Sequence, residues 1–271
     1  MSQGPLTVLM FHRLGDGRIP GRETGEETYA VSLDRFETHL EALGDSGVRV
    51  VDPAELSGPG VGWPVNRRPA VCLTFDDGNL TDHAVALPRL QKRGWGGLFF
   101  VVPAWVGTPG YLGWSEIREL RREGMEIGAH GFDHTYLGGL DDAQVRWQLR
   151  EARQLLGAEL GAPPATLSLP GGSGGGRAVR IALEVGFTLV ATSEPRLARP
   201  GLRAPLPRFA VRRGDSPATV RALAEQRPGA IWRWRGRHLL LQTLRGALGE
   251  GGYQRLRGVW AGDGGPREET A

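Results

Sequence analysis

Two short clusters of side chains in this sequence have types and spacing that could perform chemistry. The first is Thr74-Phe75-Asp76-Asp77-Gly78, where an apolar run ends in two adjacent carboxylates and a glycine. Neighbouring residues of a strand point to opposite faces. Both aspartates can therefore serve one site only if the chain bends there, and Gly78 permits a bend. The same text also suits an Asp-Gly turn whose acids cap a helix. The second cluster is His130-Gly131-Phe132-Asp133-His134. The chain has six histidines, and two of them fall four residues apart just past a predicted strand. On a helical turn this spacing puts both imidazoles on one face. Two histidines and one carboxylate form a ligand set for catalytic Zn²⁺ or a similar cation, with a position left for water. The histidine pair alone is a weak signal; together with the acid pair it points to metal binding.

These clusters need a scaffold that brings them together. Apolar runs predict strands at Leu6–Phe11, Val48–Val51, Ala70–Phe75, Gly97–Val102, Met125–Gly128, Thr166–Leu169, Phe187–Thr192 and Leu206–Val211. Several are continuously apolar, as parallel strands buried on both faces should be. Helical patterns lie between them at Ser32–Leu43, Asn79–Arg93, Ser115–Arg122, Asp141–Leu160, Ala178–Val185 and Pro217–Glu225. Ser32 and Asp141 read as N-caps. About seven to eight parallel strands alternating with helices predict an α/β fold, a distorted or incomplete (β/α) barrel, with an open doubly wound sheet as the rival. His12, Asp76, Asp77, His130 and Pro170 all fall at or just beyond the carboxyl ends of predicted strands, where barrel sites form.

The TFDDG and HGFDH motifs, with Phe99-Phe100-Val101, Trp114-Ser115-Glu116 and Glu126–His130, resemble the polysaccharide deacetylase family (NodB homology, carbohydrate esterase family 4). The likeness covers roughly residues 5–225 and implies the NodB-type barrel. It implies that Asp77, His130 and His134 bind a divalent metal, Zn²⁺ first, with Co²⁺ or Ni²⁺ as alternatives. It also implies that Asp76 is the general base and that the substrate is an N-acetylated, GlcNAc-containing glycan. A cation of this kind acidifies its water and polarises the acetamide carbonyl, and a free carboxylate beside it can take the proton.

The chain departs from the family pattern in three places. Gly131 stands where Ser or Thr is usual. The third motif, R-x-P-[YF]-G, reads Ser168-Leu169-Pro170-Gly171-Gly172, so the arginine that would orient the base is absent. Arg208, at another predicted strand, could take its place or be an ordinary surface arginine. The late L-x-H motif is also missing. The first strand, however, ends in Leu9-Met10-Phe11-His12, as in the circularly permuted members that act on exopolysaccharide, so the resemblance assigns His12 as general acid. Pro170, Gly171, Arg208 and Trp105 are further candidates for contact with substrate or oxyanion. The run Gly171–Gly176 lacks the Lys-Ser or Lys-Thr of a phosphate loop and reads as a flexible active-site loop. His39, His83 and His238 read as structural or solvated.

Composition narrows the remaining possibilities. At 271 residues and 40 % hydrophobic, the chain can bury a large core. Its one cysteine, Cys72, lies in an apolar run and reads as a core residue. Net charge is +3, but residues 229–260 hold six arginines and one acid, which makes that stretch +5 and the rest −2. A nucleic-acid-binding body should instead carry its charge on a folded face. We therefore divide the chain into a catalytic domain, residues 1–228, and a basic, partly helical extension, residues 229–271, with a helix at Arg235–Leu248. Its Arg, Trp and Leu suit peripheral membrane association or packing on the barrel. No apolar run reaches the ~20 residues of a membrane span and no leader is seen, so the sequence as written reads as cytoplasmic. Two other readings stand beside the deacetylase: an amide hydrolase on a different small substrate, and a non-catalytic carbohydrate-binding relative. Oligomeric state is not legible in the sequence.

Overall fold

Successive residues of β3 (Ala70–Asp77) join two different hydrophobic clusters. Val71, Leu73 and Phe75 pack with the helices, while Ala70 and Cys72 pack inward. A strand buried on both faces must alternate in this way. The computed structural model describes residues 4–15, 26–57, 68–199, 205–240 and 243. Its eight strands form one sheet, ordered β7-β6-β5-β4-β3-β1-β8, with β2 against the start of β3. The strands besides β3 are β1 (Leu6–Phe11), β2 (Arg49–Val50), β4 (Leu98–Val101), β5 (Glu126–Ala129), β6 (Thr166–Ser168), β7 (Leu189–Ala191) and β8 (Phe209–Ala210). Every pairing between them is parallel.

The helices are α1 (Leu33–Gly44), α2 (Ala54–Ser57), α3 (Leu87–Gln91), α4 (Trp114–Arg122), α5 (Asp142–Leu160), α6 (Gly175–Val185) and α7 (Pro217–Ala224). Leu40, Ile117, Leu149 and Ile181 cover the outer face of the sheet. The Ser32 hydroxyl accepts from the Arg35 N–H, and Asp141 and Gln144 form a capping box, so both predicted caps are present. The helix predicted over Asn79–Arg93 runs from Leu80 to Gln91, with a π-helical turn at Asp82–Ala86 leading into α3. Pro88 has no N–H to donate, so a regular α-ladder cannot run through it.

The sheet curls into an incomplete barrel and is not the open doubly wound alternative. Leu206 bridges to Ala191 of β7, and Phe209–Ala210 pairs with Leu9–Met10 of β1. One short segment thus reaches from one edge of the sheet to the other. Leu6, Val8, Cys72, Leu98, Phe100 and Leu189 fill the interior. Burial pushes the Cys72 thiol up to about 12, which suits a core residue and not a nucleophile. Among the described residues, no helix is long and apolar enough to cross a membrane.

A further helical stretch covers residues 228–240, starting before the predicted Arg235. Its Trp234 is buried, and the indole N–H donates to the Ala210 carbonyl at 3.3 Å. The first turns of the extension therefore lie against β8. Apart from Thr243, the rest of the predicted helix falls outside the described residues.

Candidate active site

The inward alternation, followed to the carboxyl ends of the strands, assembles a polar mouth. Met10 and His12 continue the inner face of β1, Thr74 and Asp76 that of β3, His130 that of β5, and Ser168 and Pro170 that of β6. Asp77 would point outward by this rule. Its φ of +84°, followed by +72° at Gly78, turns the chain so that both carboxylates serve the mouth. The bend thus begins at Asp77 itself, a residue type that tolerates the left-handed region better than most.

His130 and His134 do not sit on the helical turn that their spacing suggested. They flank a loop with φ of +68° at both Gly131 and His134. A side chain at Gly131 would be strained at that φ, and its Cβ would meet Pro170 Cγ at 3.0 Å.

Asp77 Oδ1 lies 3.4 Å from His130 Nε2 and 3.5 Å from His134 Nε2. The ligand atoms of the three residues all fall within 4.8 Å of one another, and no other such group occurs among the described residues. Tetrahedral ligands about 2.0–2.1 Å from a common ion stand roughly 3.4 Å apart, so the spacing fits a divalent cation. His130 Nδ1 lies 2.9 Å from the Ser168 carbonyl, which orients Nε2 toward the group. Burial would raise the Asp77 carboxyl, but the bond to His130 and the positive potential of His12, His130 and His134 hold it below the usual carboxylate range. Burial would lower His130, and the two aspartates outweigh that and raise it. The donor set can therefore hold a metal.

Asp76 is held by the group that the sequence left in doubt. Arg208 is fully buried and donates to Asp76 Oδ1 at 2.6 Å and to Oδ2 at 2.8 Å. It also donates to Ser168 Oγ at 2.7 Å, and that hydroxyl donates to Asp76 Oδ2 at 3.0 Å. Thr74 Oγ1 and the Thr192 carbonyl take its other donors. Its guanidinium stacks over Phe100, 5.2 Å from the ring centroid, and Phe100 fits because Gly128 has no Cβ to meet it. Arg208 is thus no surface residue, and its five donors are engaged by Asp76, Ser168, Thr74 and Thr192. Burial would raise Asp76; Arg208, His130 and His12 outweigh it and keep the carboxyl low and ionised.

His12 lines the same cleft, its ring stacked on Tyr29 at 4.8 Å. Its Nδ1 is buried with no hydrogen-bond partner among the described residues. Burial lowers its pKa, with Asp77 and Asp76 opposing. The cleft has a volume of ≈ 680 Å³, room for more than one sugar ring. Gly171 and Gly172 line it, but the predicted flexible loop is a short 3₁₀ turn, Pro170–Gly172, running into α6. Trp105 packs on His134 at 4.9 Å and on Tyr111, and does not line the cleft.

Sequence reading missed Tyr29, Tyr136, Arg212, Trp234 and His238, all of which line the cleft. His238, read as structural or solvated, reaches it from the helical stretch. The register of the structure explains the position of Arg212: Met10 pairs with Ala210, so residue 212 comes level with His12.

Residues 65–190, a little under half of the chain, match the model of the polysaccharide deacetylase family. The Bacillus subtilis protein YxkH, which bears the family's name, is 26 % identical over 196 residues, 70 % of this chain. The match spans 65 %, less than two thirds, of that relative's length. Among solved structures, IcaB from Ammonifex degensii is 29 % identical, with a TM-score of 0.70 over 82 % of this chain and 98 % of that one. The deacetylase PplD of Streptococcus pyogenes, solved with acetate, shares the fold at 21 % identity, with a TM-score of 0.67 over 80 % and 96 % of the two chains.

Proposed function

We propose that this protein removes N-acetyl groups hydrolytically from GlcNAc-like units of a polysaccharide, with Asp77, His130 and His134 holding a divalent ion. Zn²⁺ is the expected ion, and Co²⁺ or Ni²⁺ can replace it. Bound there, the ion supplies a Lewis acid for the acetamide carbonyl and an acidified water. Asp76, ionised and clamped by Arg208, is placed to accept the water's proton. His12, across the mouth, is placed to donate a proton to the departing amine. In the 3₁₀ turn at Pro170–Gly172, Pro170 has no N–H and the Gly172 N–H donates to the Leu169 carbonyl, which leaves the Gly171 N–H to meet the developing oxyanion.

The observation that supports this reading most is the convergence of both imidazole Nε2 atoms on one carboxylate oxygen, 3.4 and 3.5 Å away, beside a second, clamped carboxylate. The clamp also removes the motive for a non-catalytic reading, which was the missing arginine. The test is metal content by mass spectrometry together with acetate release from chitin oligomers and poly-N-acetylglucosamine. Metal bound with acetate released supports the proposal; metal bound with no acetate from either glycan overturns the substrate, and no metal overturns the mechanism.

A further inference from the structure

The helical residues 228–240 have two unlike faces. At 100° per residue, Trp234 and His238 fall on one side, and Trp232, Leu239 and Leu240 on the other. The first side packs on Ala210 and lines the cleft. The second is open: Trp232 is 67 % exposed and Leu239 and Leu240 are 57 % exposed. Trp232 is the most exposed large apolar side chain among the described residues. Arg233 and Arg235 are exposed beside this stripe, with the Arg235 guanidinium 5.5 Å from the Trp232 ring centroid. No acidic residue occurs in the sequence between Glu225 and Glu250.

We propose that this outward face docks on an anionic lipid surface. An indole and two leucines flanked by arginines suit the boundary between headgroups and acyl chains, where the apolar groups insert and the guanidinium groups meet lipid phosphates. A second copy of the chain is a poorer occupant, because the stripe packed on itself would bring Arg233 and Arg235 against their own counterparts with no acid between them. An acidic protein could pair with the arginines, but it would have to desolvate the stripe as well. The same helix lines the catalytic cleft on its inner side, so docking would hold the mouth of the barrel at the membrane plane. On the hydrolase reading, the substrate would then be a glycan presented at that surface, lipid-linked or newly emerging from it.

The experiment is co-sedimentation of the full chain with phosphatidylcholine vesicles and with mixed phosphatidylcholine–phosphatidylglycerol vesicles, at low and high salt. Binding is expected to the anionic vesicles and to weaken with salt. Trp232→Ser with Leu239→Ser and Leu240→Ser should weaken it roughly tenfold or more. Arg233→Gln with Arg235→Gln should weaken it roughly thirtyfold. Acetate release from a soluble oligomer should be unchanged in the apolar triple variant, whose three positions face solvent. Equal binding to neutral and anionic vesicles, or none to either, overturns the proposal. So does a dimer in sedimentation velocity that the apolar triple variant abolishes. Vesicle binding needs no turnover, so its failure and a failure of the hydrolase reading are separate outcomes.

Discussion

Arg208, just before β8, closes both terminal guanidinium nitrogens onto both oxygens of Asp76 at the end of β3, 132 residues earlier in the chain. The pair is buried and joined by the Ser168 hydroxyl, which stands where the family usually has its arginine. In this chain the charge beside Asp76 comes from the segment before β8 and not from β6.

Removing that clamp should lower kcat with little change in KM. Arg208→Lys keeps the charge but cannot make the two parallel bonds. We expect a loss of roughly 10–100-fold in kcat, with metal content unchanged. Arg208→Met should also cost about 3–5 kcal/mol in urea unfolding, because it leaves a buried carboxylate without its partner. Wild-type kcat in Arg208→Lys would show that Asp76 needs no orientation.

The two aspartates should separate cleanly. Asp77→Ala, or His134→Ala, should lose bound metal by mass spectrometry. Asp76→Asn should keep the metal and lose roughly 10²–10⁴-fold in turnover. His12→Ala should keep the metal and slow the expulsion of the amine, most visibly on substrates with poor leaving groups. A metal-free Asp76→Asn protein would invert the proposed roles.

Restoring the residue usual in the family at position 131 should harm this chain. Gly131→Ser puts a side chain at φ +68°, with its Cβ pressed on Pro170. The strain should cost about 1–3 kcal/mol of stability. Because the neighbouring loop carries His134, metal affinity should fall as well. Calorimetric melting and metal titration of the variant would both read the effect; an unchanged Tm would mean that the loop relaxes around the new side chain.

His39 gives the protein an acid-sensitive element remote from the metal ligands. It lies buried on α1, its Nε2 2.9 Å from the Asp215 carbonyl, with its ring near Phe11. Burial chiefly, helped by Arg35, lowers its pKa from 6.5; the bond to the Asp215 carbonyl opposes. A depressed folded pKa means that the stabilising contribution is complete above the unfolded value and is lost as pH falls below it. Urea midpoints should therefore drop between about pH 7.5 and about pH 5.5, and the drop should be smaller in His39→Gln, which cannot titrate. An equal drop in both proteins would remove His39 as the source.

Much of this architecture was legible because it depends on local text. Continuous apolar runs marked the buried strands, and Ser32 and Asp141 announced their helices. Strand ends located His12, Asp76, Asp77 and His130 without coordinates. What escaped depends on the path of the backbone or on distance along the chain. Four-residue spacing suggested a helical turn at His130–His134, whereas the loop uses left-handed φ at two residues. Nothing near Arg208 says that it is buried; its partners Asp76 and Ser168 are distant in sequence and become neighbours only when the sheet curls. Trp234 and His238 read as part of an appendage, because a helix docked on β8 and a detached one can carry the same pattern.

The stretch from Leu206 to Ala210 is the last piece of the wall to be made, and it works as a clasp. One end fastens to β7, the other to β1, and Arg208 sits between them. The three candidate metal ligands all precede it in the chain. On the proposed reading, the base at Asp76 is braced only where this segment joins the two edges of the sheet.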